Sequence, residues 1–69
     1  MFDYSRLRSR IIEVYGSQTE FAEEFGFTES QLSNRMKCRV DWTTQEIVRE
    51  CELLDIPLSD ANLYFFVEQ

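Results

Sequence analysis

The sequence predicts an all-α fold, a bundle of about five short helices in a single domain over residues 1–69. Three observations lead there. Apolar residues recur at spacings of three and four along most of the chain, and helix-start signatures of the form Ser/Thr-x-x-Glu/Gln occur at Ser17, Thr28 and Thr43. Gly and Pro together number only three in 69 residues, too few for a loop-rich or turn-rich fold.

Residues 4 to 15 form the first helix. Tyr4, Leu7, Ile11 and Val14 lie at helical spacing, with Asp3 before them as N-cap and Gly16 after them as a left-handed stop. Arg6, Arg8 and Arg10 fall mostly on its outer side, either as a solvated face or as contacts to phosphates or partner carboxylates. The second helix opens on the capping box Ser17-Gln18-Thr19-Glu20 and ends at Gly26, with Phe21 and Phe25 stacked on one face and Ala22 small enough to admit a neighbouring helix. Thr28-Glu29-Ser30-Gln31 is a second box, opening a third helix from Glu29 to about Lys37. Leu32 and Met36 face its core side, and Glu29, Ser30, Ser33, Asn34 and Lys37 share the opposite face. Residues 38 to 42 are a loop. Thr43 then caps a fourth helix carrying Ile47, Cys51 and Leu54 at helical spacing, and Pro57 forbids its continuation. Ser59 is placed to cap a final short helix through Asn62, Leu63 and Tyr64. The end of the chain is too apolar all round for one buried face. Phe65, Phe66 and Val67 either complete an oligomer contact or pack back on the domain as a strand-like tail.

Helices this short do not hold alone, so they must pack on one another. Composition bounds the function as well. With no histidine, Cys38 and Cys51 cannot supply a structural zinc site, so no metal or other cofactor is expected and the cysteines read as reduced thiols. No apolar run approaches the ~20 residues of a membrane span, and the start MFDYSRLRSR lacks the apolar stretch of a signal peptide. A cytoplasmic protein without a membrane partner is expected. Catalysis is not: there is no phosphate-binding glycine loop, no small-molecule substrate site and no serine or cysteine with a base beside it, and adjacent Glu23 and Glu24 diverge on their helix. The net charge of -6 opposes indiscriminate binding to phosphate backbones.

The run from Gln18 to Ser33 resembles the helix-turn-helix of the phage Cro and lambda-repressor superfamily, placing that motif at about 17–37. In that family a polar residue opens helix two, Ala fills the inter-helix contact, Gly makes the turn and an aliphatic residue anchors helix three. Gln18, Ala22, Gly26 and Leu32 stand at those places. Tyr15-Gly16, Ile56-Pro57 and Tyr64-Phe65-Phe66 also look like small Cro-like phage proteins of Gram-positive hosts.

The resemblance implies a transcriptional regulator of a phage lysis–lysogeny switch, working in the bacterial cytoplasm as a homodimer on two-fold operator DNA. Helix three then enters the major groove, with Glu29, Ser30, Ser33 and Asn34 at the base-reading positions. Gln18, Arg35, Lys37 and Arg39 contact the DNA backbone. One departure gives the alternative. Residues 17 to 31 contain four acids, Glu20, Glu23, Glu24 and Glu29, and no base, which places negative charge where phosphate should approach. Such a face fits a basic partner: an antirepressor would use it to cover the DNA-reading surface of a cognate phage repressor.

Overall fold

The computed structural model describes residues 1–68. Among them, five α-helices and one 3-10 turn follow in order: α1 Ser5–Tyr15, α2 Gln18–Phe25, α3 Glu29–Met36, α4 Thr44–Leu53, the turn Leu58–Asp60 and α5 Ala61–Phe65. None of these helices is long and apolar enough to cross a membrane.

Where a helix start depends on neighbouring residues alone, the local chemistry predicts it well. Thr28 and Thr43 each accept a hydrogen bond from the backbone N–H three residues on, and Gln31 and Glu46 reach back to the N–H of the cap residue, completing both boxes. At Ser17 only half of the expected box forms: its hydroxyl accepts from Glu20 N–H at 3.1 Å, while the Glu20 side chain makes no return bond. At α1 the N-cap residue is Tyr4, and the Asp3 carboxylate instead accepts from Ser5 N–H at 2.9 Å. That bond holds the Asp3 carboxyl below its ordinary value. Ser59 lies inside the 3-10 turn and makes no cap bond, because Pro57 starts the turn before it.

Gly16 and Gly26 end α1 and α2 at φ +88° and +95°. A Cβ at Gly26 would meet no atom within 4 Å, so the requirement is conformational and not steric. Gly26→Ala is accordingly expected to lower stability by about 1 kcal/mol in urea unfolding. An unchanged midpoint would mean that the turn relaxes to negative φ.

The core collects Leu7 and Ile11 of α1, Phe21, Ala22 and Phe25 of α2, Leu32 and Met36 of α3, Cys51, Leu54 and Ile56 at the end of α4, and Phe65 of α5. Val14 is exposed, contrary to its spacing. The next residue, Tyr15, takes the place four beyond Ile11, where its ring meets Phe21 edge-on at 5.2 Å and its hydroxyl reaches the Leu53 carbonyl at 3.4 Å. Rings then continue from Phe21 through Phe25, Phe27 and Trp42 to Phe65, each centroid 4.5–6.2 Å from the next. The chain ends meet in one antiparallel bridge between Phe2 and Glu68, with Asp3 N–H donating to the Val67 carbonyl at 2.7 Å.

The bridge packs the tail back on the domain, as one of the two readings of it expected. Of the three residues expected at an oligomer contact, Phe65 is instead buried in its own core, while Phe66 and Val67 remain exposed. Both thiols are free: Cys51 is buried, and Cys38 donates to the Phe2 carbonyl at 3.3 Å.

Candidate interaction surface

The α2–turn–α3 unit presents two kinds of polar group. Glu20, Glu23, Glu24 and Glu29 are all exposed. Glu20 lies in the first turn of α2 and Glu29 in that of α3, where the positive ends of the helix dipoles favour carboxylates. Glu29 also accepts from the Thr19 hydroxyl at 2.7 Å, clasping α2 to α3 across the turn. Nothing equivalent restrains Glu23 or Glu24.

The residues expected to read bases are unequally placed. Ser30 is exposed and Glu29 is exposed but tied to Thr19, whereas Ser33 and Asn34 are half-buried. Gln18, expected at the DNA backbone, is half-buried too. Lys37 and Arg39 are exposed at the far end of α3 and in the loop after it.

Arg35 must be withdrawn from the backbone-contacting set. Its Nε and Nη2 donate to the two Glu46 oxygens at 3.0 and 3.1 Å, and its Nη1 donates to the Gln31 carbonyl at 3.1 Å. The guanidinium lies over the Phe27 ring at 4.6 Å and near Trp42 at 6.0 Å. A forked, stacked guanidinium of this kind has few donors left for phosphate. Burial pushes the Glu46 carboxyl up, but the Arg35 and Thr43 bonds outweigh this and hold it below its ordinary value.

Two further arginines are anchored in the same way. Arg10 donates through Nε to the Leu54 carbonyl at 2.9 Å and pairs with Glu13 at 3.1 Å, so it does not belong to a free outer face of α1. Arg49 lies over the Phe25 ring at 5.0 Å and reaches the Glu24 carbonyl at 3.4 Å, at the C-terminal end of α2. Three of the chain's seven basic side chains therefore join helices to one another.

Sequence reasoning missed Glu50. It is fully buried, and neither carboxyl oxygen has a hydrogen-bond partner. Burial, reinforced by the nearby Glu46 charge, pushes its carboxyl up to about 9. Its position carried the signal: Ile47, Glu50, Cys51 and Leu54 are spaced three, one and three apart, so Glu50 falls within the apolar stripe of α4. Burial likewise raises the Cys51 thiol and the Tyr4 hydroxyl above their ordinary values.

With this geometry in place, the chain can be compared with known proteins. The model of a family described as "Protein of unknown function (DUF739)" matches residues 1–68. The chain is also similar to the solution structure of the modulator of repression (MOR) of the temperate bacteriophage TP901-1 from Lactococcus lactis. The two are 34% identical with a TM-score of 0.85, and the match covers 94% of this chain and 88% of that one. No curated protein matches.

Proposed function

From the premise that the chain belongs to the DUF739 family, we propose that it is a phage-switch regulator acting by binding, not catalysis, as an antirepressor. Its target is a cognate phage repressor, whose basic DNA-reading surface it covers with Glu20, Glu23, Glu24 and Glu29. The observation that carries this reading is the set of exposed carboxylates on α2 and α3, with no base between residues 17 and 31. The internal commitment of Arg35 supports it, because the one guanidinium of α3 is turned toward Glu46 and away from offsetting those charges; Arg49, at the C-terminal end of α2, is the basic group that stands beside them. The similar phage protein is named as a modulator of repression, which agrees with a target in the repression machinery.

Mixing this protein with the repressor and labelled operator DNA is expected to lower DNA anisotropy as repressor is drawn off. Glu20→Lys or Glu23→Lys should weaken the protein complex about tenfold, equivalent to about 1.4 kcal/mol, and the complex should weaken as salt rises. If neither reversal changes complex formation, the acidic face is not the contact.

A second reading, operator binding by a homodimer through α3, is favoured by exposed Ser30 with Lys37 and Arg39 exposed beyond it. Saturable DNA binding by the protein alone, in the same assay, would select it.

A further inference from the structure

On the side of the ring series away from α2 lies a cavity of about 280 Å³ at the junction of the N-terminal segment, the α3–α4 loop and α5. Five aromatic residues line it, Phe2, Tyr4, Trp42, Phe65 and Phe66, together with the acidic residue Asp41. Asp41 is exposed and forms no ion pair among the described residues. Trp42 Nε1 is buried without an acceptor.

We propose that this cavity is a socket for an arginine side chain of the partner protein. Aromatic faces carry negative potential and attract a cation, and a guanidinium is flat enough to stack on a ring while its fork pairs with a carboxylate. The chain holds a filled example of the same chemistry on the same indole. Arg35 lies near Trp42 and over Phe27, with Glu46 as its bidentate acceptor. The cavity combines aromatic residues with an acidic one in the same way. Burial raises the Tyr4 hydroxyl in the cavity wall, and the Asp41 charge acts in the same direction. The choice of a basic protein as the source of the arginine rests on the antirepressor reading above.

Trp42 is the single tryptophan, so its indole N–H resonance in the ¹⁵N-labelled protein reports on the cavity without ambiguity. Titration with N-acetyl-arginine methylamide is expected to shift that resonance saturably. The citrulline analogue, equal in shape but neutral, should bind about threefold more weakly or worse, as should arginine to Asp41→Asn. No saturable shift, or equal binding of the citrulline analogue, overturns the socket. The Glu23→Lys variant should titrate like the parent, which separates the two proposals. Loss of repressor binding in that variant without any arginine response in the parent removes the socket alone. A normal arginine titration with no repressor binding removes the antirepressor reading and leaves a cation-binding cavity.

Discussion

Glu50→Gln is expected to make the protein more stable at neutral and alkaline pH and to abolish most of its pH dependence there. A carboxyl raised from 4.5 to about 9 on folding holds its proton more tightly in the folded state than in the unfolded one. The stability linked to that proton is fully present below about pH 4.5 and is lost as pH climbs toward 9. At pH 7 the loss is roughly 3 kcal/mol. That is a large share of the roughly 3–10 kcal/mol available to a chain of this size. Glu46 acts in the opposite direction: its lowered carboxyl contributes stability above its unfolded value of 4.5 that disappears as pH falls. The parent should therefore be most stable near pH 5. Glutamine keeps the shape of Glu50 and cannot ionise. Urea unfolding from about pH 5 to 9 checks this, and parallel slopes for parent and variant would contradict it.

Arg35→Ala should destabilise by about 2–4 kcal/mol, because several interactions fail together. The bidentate bond to Glu46 and the contact over Phe27 are both lost. Glu46 is then left as a poorly exposed anion beside Glu50, where repulsion by Glu46 already disfavours ionisation. The Glu46 oxygen that accepts from Arg35 Nε also accepts from Thr43 N–H, so the start of α4 loosens too. Arg35→Lys keeps the charge but not the fork or the flat stacking surface, and should recover less than half of the loss. Full recovery by lysine would mean that charge alone matters.

Elements fixed by neighbours in sequence were the legible ones. The Thr28 and Thr43 boxes and the Gly16 and Gly26 stops each need only a few consecutive residues, and all four stand as expected. Roles that depend on distant partners were not legible. Arg35 and Asn34 look alike as polar residues of α3, and nothing local says that Arg35 faces Glu46 eleven residues away. Arg10 looked like part of an outer face because its acceptor, the Leu54 carbonyl, is a backbone group 44 residues along. The acidic composition of the α2–α3 face could be read directly, since exposed charge is the default for glutamate. The same default hid Glu50, whose place in the stripe of α4 outranked its residue type.

The three arginine ties also carry a kinetic consequence, since all of them end or begin on α4 or on Leu54, which caps its C-terminus. Helices α1, α2 and α3 follow one another closely, whereas the Arg10–Leu54, Tyr15–Leu53 and Arg49–Glu24 bonds close segments of 44, 38 and 25 residues. Closing longer segments forfeits more chain entropy before any contact is gained. Docking of α4 is therefore expected to follow the pairing of α1, α2 and α3, as is the Phe2–Glu68 bridge, which closes a longer segment still, and release of α4 reverses that step. That release would strip Arg35 of its acceptor and free the one guanidinium that the closed fold keeps turned inward on α3.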